Sequence, residues 1–145
     1  MRKVVPCIGF SLLAILLVAC QLPFSMQFPI QPTATPEPPK VIIYLFWGDG
    51  CPHCAAAKPF LNQLTQRYAG VELRAYEVWY VEKNQDLFKK MTAAFGFEPQ
   101  GVPTIFIGDQ YWEGYSDKIG QEIEAAVQKC EESDCPDRGI GVITN

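Results

Sequence analysis

The 145-residue chain has little histidine, no clustered positive charge and no long uninterrupted apolar run. His53 is the only histidine, so a zinc site, which takes four nitrogen or sulfur ligands, would have to draw on cysteines. No basic stripe or Lys/Arg cluster occurs, and the formal charge is −4. That argues against nucleic acid as a partner, because phosphate binding needs a positive footprint. No internal repeat is present. The one strongly apolar stretch, Val4 to Val18, is shorter than the roughly 20 residues of a spanning helix, and Pro6 interrupts it. What remains is ordinary globular material, 48% hydrophobic and 19% charged, enough for one core of about 90 to 100 residues.

The N-terminal segment has the layout of an export signal. Arg2 and Lys3 open it, the apolar stretch follows, and small Ala19 precedes Cys20. The ending Leu17-Val18-Ala19-Cys20 resembles the lipobox of bacterial lipoproteins. That resemblance implies cleavage after residue 19, acylation of Cys20, and a location on the extracytoplasmic face of a bacterial cell membrane. Several acyl chains at ~0.8 kcal/mol per CH₂ make a durable anchor. Residues 20–39 then read as the acylated cysteine and a tether, since 21–39 contain six prolines and one charge. At ~3.1 Å per residue such a tether reaches roughly 60 Å.

From residue 40 the punctuation changes. VIIYLF (41–46) is a short apolar run of the kind that forms a strand buried on both faces. A helix is expected from Cys51 to about Ala69, with Pro52 in its first turn and Gly70 after its end. VELRAYEVWYV (71–81) reads as a second strand, and 84–95 as a helix capped by Asn84. VPTIFI (102–107) and YWEGY (111–115) form an expected hairpin across Gly108-Asp109-Gln110. Ser116 caps a last helix that ends near Cys130, and 131–145 reads as a loose tail. The order β-α-β-α-β-β-α predicts an α/β domain over 40–130, with a four-stranded mixed sheet and flanking helices.

Of six cysteines, Cys7 falls in the leader and Cys20 at its end. The others form two close pairs, Cys51/Cys54 and Cys130/Cys135. In an exported chain such pairs sit in a disulfide-permissive compartment. Cys51 is placed at a helix N-terminus, where free N–H groups and the helix dipole stabilise a thiolate and make it the attacking sulfur. Cys54 lies one turn deeper, on the same side, as the resolving thiol. Pro52 and His53 tune the pair, and a thiolate so stabilised makes the disulfide more oxidising.

Residues 40 to about 130 resemble a thioredoxin-fold domain. Trp47 stands four residues before Cys51, Pro59 five after Cys54, and Val102-Pro103-Thr104 matches that family's cis-proline motif. Cys-Pro-His-Cys is similar to the tetrad of periplasmic DsbA-type oxidases, while the compact topology is closer to glutaredoxins. The resemblance implies that Trp47, Val102, Pro103 and Thr104 dock an extended substrate segment beside Cys51. It also implies protein substrates that are themselves exported, a membrane redox partner, and no cofactor beyond the redox-active disulfide. Two departures stand out. The family's buried acid, six residues before the first cysteine, is here Leu45, with Glu77 or a water as candidates to replace it. The helical insertion of DsbA-type proteins has no room between Cys54 and Pro103.

Other readings remain beside this one. A glutathione-linked reductase would use Ser116 and Asp117 at the last helix, although capping explains them more simply. A metal site would join Cys51 and Cys54 to Cys130, Cys135 or His53. A redox-inactive adaptor would not need both cysteines. Cys130 and Cys135 read as a structural disulfide rather than a relay. Trp112 and Tyr115 are candidates for a substrate groove or for core cover. Lys58 either adds positive potential beside the motif or is simply solvated.

Overall fold

A computed structural model describes residues 41–143. The expected signal at 1–19, the tether at 20–39 and the acylated Cys20 lie outside these residues. The elements are β1 (Val41–Trp47), α1 (Pro52–Arg67), β2 (Val71–Glu77), α2 (Glu82–Ala94), β3 (Thr104–Ile107), β4 (Gln110–Glu113) and α3 (Asp117–Glu132). The sheet order is β2-β1-β3-β4. β1 pairs in parallel with β2, and β3 runs antiparallel to both β1 and β4. This is the mixed α/β sheet that the sequence predicts.

β1 is central because both of its faces are apolar. Side chains alternate across a strand, so Val41, Ile43 and Leu45 enter one core with Leu61 and Leu64 of α1 and Ile123 and Val127 of α3. Tyr44 and Phe46 enter the other core with Phe88 and Met91 of α2. Phe46 stacks on Phe88 with ring centroids 4.8 Å apart. Helices thus cover both faces, and β1 is positioned by packing from above and below.

Several boundaries differ from the expectation. β2 stops at Glu77 rather than continuing to residue 81. The Glu77 carboxylate accepts hydrogen bonds from the N–H groups of Trp79 and Tyr80, both at 2.9 Å, which turns the chain out of the sheet. α2 consequently starts at Glu82, with Val81 as its N-cap and no side-chain cap. Asn84 instead donates to the Glu77 carbonyl at 2.9 Å. β3 begins at Thr104, because proline at 103 offers no N–H to a ladder; the Val102–Pro103 peptide before it is cis. Ser116 caps α3 as expected, accepting from the Ile119 N–H.

The segment after α3 is not loose. Cys130 and Cys135 are bonded, with Cα atoms 5.1 Å apart. The Tyr44 hydroxyl donates to Asp137 at 2.7 Å, and the same carboxylate oxygen accepts the Gly139 N–H at 2.8 Å. A Cβ on Gly139 would lie 2.0 Å from the Tyr44 hydroxyl oxygen, so only glycine allows this approach. Val142 and Ile143 pack against the Tyr44–Phe46 core. Arg138 pairs with Asp109 in the β3–β4 turn.

Candidate active site

The strand-to-helix turn after β1 carries the motif. Gly48 is buried, its carbonyl accepts the Cys51 N–H at 3.2 Å, and Cys51 becomes the N-cap of α1 in an extended conformation. Pro52 opens the helix, where its missing N–H costs nothing. The Cys51 sulfur accepts the Cys54 N–H at 3.1 Å, so one of the free amides of the first turn points at that sulfur. Cys51 and Cys54 form a disulfide with Cα atoms 5.2 Å apart. Cys51 is 6% exposed and Cys54 1%, so Cys51 is the outer of the two residues and Cys54 the inner. His53 and Pro52 are exposed on the outer side of the turn.

Val102 brings the distant part of the chain to this point. Its carbonyl oxygen lies 3.7 Å from the Cys51 sulfur, and Pro103 behind it is buried. Thr104 is fully buried, and its hydroxyl donates to the Gly101 carbonyl at 2.7 Å. Its side chain therefore holds the turn. Trp47 lines a hollow of about 230 Å³ together with Asp49, Cys51, Pro52, Cys54 and Lys58. The Lys58 ammonium sits over the Trp47 ring, 2.8 Å from its centroid.

Trp112 and Tyr115 are not at this hollow. Trp112 packs on the Ile43–Leu61 core and donates to Glu122 at 3.1 Å. Tyr115 packs on Phe60 with centroids 5.7 Å apart. Both are core cover. A larger hollow, about 730 Å³, lies between α2 and the C-terminal segment. It is lined by charged side chains such as Glu82, Lys83 and Lys90, and contains no cysteine.

Leu45 is fully buried opposite Ala75 and Ile105 in the sheet, so no acid occupies that place. Glu77 does not supply one. One of its oxygens accepts from Asp49 at 3.2 Å as well as from Trp79, and the other from Tyr80. Partial desolvation works against the charge, but these backbone N–H groups outweigh it and hold the carboxyl below its ordinary value. Glu77 is thus a clamp that ties the loop before Cys51 to the turn after β2. The sequence signal for it was a carboxylate two and three residues ahead of amides leaving a strand.

The second pair, Cys130/Cys135, lies near Gly108: a Cβ there would sit 3.4 Å from the Cys135 sulfur and 3.7 Å from that of Cys130. Gly108 follows the far end of β3 from Pro103, about 16 Å away at strand rise. The two disulfides are therefore at opposite ends of the sheet. Among the described residues no group of three or more His, Cys, Asp or Glu side chains is arranged to hold a metal.

The turn before Cys51, the paired cysteines on one helical turn and the buried proline beside them make an arrangement suited to thiol–disulfide exchange. Residues 41–112 match the glutaredoxin family model. No curated protein matches the chain. Among solved structures, a protein from Agrobacterium tumefaciens superposes with a TM-score of 0.51 at 20% identity, over 66% of this chain and 48% of its own. The chain thus spans about half the length of that protein. Mitochondrial thioredoxin 3 from Saccharomyces cerevisiae, in its oxidized form, gives 0.49 at 18% identity, over 63% of this chain and 79% of that one. A putative thiol:disulfide interchange protein DsbE from Chlorobium tepidum gives 0.47 at 19% identity, with the same coverages of 63% and 79%. From Val41 onward the chain has a thioredoxin-like α/β fold of the glutaredoxin and thioredoxin kind, with a C-x-x-C disulfide at the start of its first helix.

Proposed function

We propose that this chain is a thiol–disulfide oxidoreductase, held on the extracytoplasmic face of a bacterial membrane through Cys20 and acting on exported proteins. The observation that carries the chemistry is the Cys51–Cys54 disulfide at the α1 N-cap, the outer sulfur beside Val102 and the inner one buried. In the oxidising direction a substrate thiolate attacks the Cys51 sulfur. A substrate–Cys51 bond forms, the Cys51–Cys54 bond breaks, and the electron pair leaves on Cys54. A second substrate thiolate then displaces Cys51, so two electrons pass to the protein and a substrate disulfide is released. Reduction runs the same steps backwards. The backbone of Val102 offers an extended substrate segment a pairing edge beside Cys51, with Trp47 at the margin of the same hollow.

The pair itself is the only redox group this chemistry needs, and a membrane redox partner resets it. The test is exchange with a reduced, unfolded protein and with an insulin-type disulfide. Turnover that disappears in Cys51→Ser supports the reading, and exchange undiminished in that variant would sink it. The reduction potential then sets the direction, near about −120 mV for an oxidase and about −270 mV for a reductase. The match of residues 41–112 to glutaredoxins favours a second reading, a glutathione-linked reductase. Faster turnover of glutathione mixed disulfides than of protein disulfides would select it.

A further inference from the structure

We propose that Lys58 is a positioning residue for Cys54, its fixed positive charge stabilising the Cys54 thiolate in the half of the exchange where Cys54 enters or leaves. The inference rests on the exchange reading above and identifies how that site manages the inner sulfur.

Cys54 is only 1% exposed, and burial disfavours a thiolate. Yet the exchange needs one. In the reducing direction a substrate sulfur is bonded to Cys51, and the Cys54 thiol gives its proton to solvent. Its thiolate then attacks the Cys51 sulfur. The Cys51–Cys54 bond forms, the Cys51–substrate bond breaks, and the electron pair leaves on the substrate sulfur, which takes a proton from solvent. In the oxidising direction Cys54 is the leaving thiolate. Either way a negative charge appears on a buried sulfur.

The groups on the elements around the first turn of α1 narrow the choice. Leu45, from β1, is apolar and fully buried. From β2, Glu77 is committed to the N–H groups of Asp49, Trp79 and Tyr80. Ahead of β3 the Val102 carbonyl lies at the Cys51 sulfur, and the Thr104 hydroxyl is committed to the Gly101 carbonyl. Asp49 lines the same hollow but carries the wrong sign. On α1, His53 is exposed, and Lys58 stands four residues beyond Cys54, so the two share one helix face.

Lys58 lines two hollows at once. One, of about 230 Å³, contains Cys51 and Cys54. The other, of about 440 Å³, contains Leu45, Leu73 and Ala75. Its ammonium is not free in solvent, because it lies over the Trp47 ring at 2.8 Å from the centroid, a cation–π seat that fixes the charge. A carboxylate at position 45 would take the proton from Cys54. A cation reaching the same region from α1 instead lowers the cost of the thiolate and leaves the proton to water at the mouth of the hollow.

The test reads Cys54 directly. In full-length Cys51→Ser protein, alkylation of Cys54 is followed across pH by mass mapping of its peptide, with Lys58, Lys58→Met and Lys58→Arg. Lys58→Met should move the alkylation midpoint up by about one pH unit, and Lys58→Arg should restore most of it. The matching shift at Cys51, measured in Cys54→Ser protein, should be smaller. An unchanged Cys54 midpoint in Lys58→Met overturns the proposal, and so does an equal shift at both cysteines. Lys58→Gln gives the same reading should the methionine variant not fold. Alkylation needs no turnover, so a protein that exchanges no disulfide sinks the functional reading while this test still decides Lys58. Normal exchange with an unmoved midpoint does the reverse.

Discussion

The Trp79 ring occupies the space where a side chain on Gly48 would start: a Cβ there would lie 2.2 Å from the ring. The contact joins the turn before Cys51 to the turn after β2. Gly48→Ala must push the ring away or bend the loop. Overpacking of this kind costs about 1–3 kcal/mol, and here the strain falls on the segment that aims Cys51. Chemical denaturation should show the loss, together with slower attack by Cys51. Unaltered stability would mean that Trp79 moves aside freely.

Glu77 makes a second bridge between the same two turns, and its effect depends on pH. Its carboxyl is held below the ordinary value of 4.5 by the backbone N–H groups that outweigh its partial desolvation. A depressed carboxyl contributes stability that is fully present above its unfolded value and is lost as pH falls through the folded one. The amides of Asp49, Trp79 and Tyr80 should therefore shift together in an NMR titration, with a midpoint under 4.5. A midpoint at or above that value would remove the clamp from the account.

The two cysteines of the motif should behave differently when replaced singly. Cys51→Ser abolishes exchange, whereas Cys54→Ser accumulates mixed disulfides that a non-reducing gel shows as adducts and that vanish on reduction. In reduced protein the Cys51 thiolate absorbance should titrate well below the ordinary value of about 8.5, because the helix N-terminus favours the charged sulfur. An ordinary midpoint there would leave Cys51 no more reactive than any surface thiol.

Cys130→Ser should leave exchange close to the parent rate, since that disulfide lies at the opposite end of β3 from Pro103. Its loop is short, so the loss of stability should be about 2 kcal/mol. Protease digestion should then remove the segment after α3 first. Lost turnover in a folded Cys130→Ser protein would point to a relay between the two pairs.

Cys20→Ser tests the anchor. The variant should be released into the soluble fraction, while its exchange activity is retained. Membrane binding unchanged in this variant would mean that acylation at Cys20 is not what holds the protein.

The element order was legible because periodicity encodes it. VIIYLF (41–46) is apolar at every position and became the central strand, buried on both faces. The spacing of Cys54, Ala57, Leu61 and Leu64 placed one face of α1 in the core. The motif and its proline could also be read, because their chemistry resides in residue type and spacing. What stayed hidden depends on side chains bonding to distant or turning backbone. Val78 to Val81 continue a strand-like pattern, and only the Glu77 carboxylate ends it. Asn84 has the chemistry of a cap but is drawn to the Glu77 carbonyl. The hold of Asp137 on Tyr44 spans 93 positions, beyond the reach of any local pattern.

The separation of the two disulfides bears on how the protein must be measured. An equilibrium titration with a dithiol buffer counts electrons without regard to where they go, and each bridge accepts two. The intact chain should therefore yield a composite curve, one limb from Cys51–Cys54 and the other from Cys130–Cys135. A single fitted midpoint would describe neither. With Cys130 and Cys135 both replaced, the remaining curve belongs to the motif alone, and its midpoint can assign the direction of exchange.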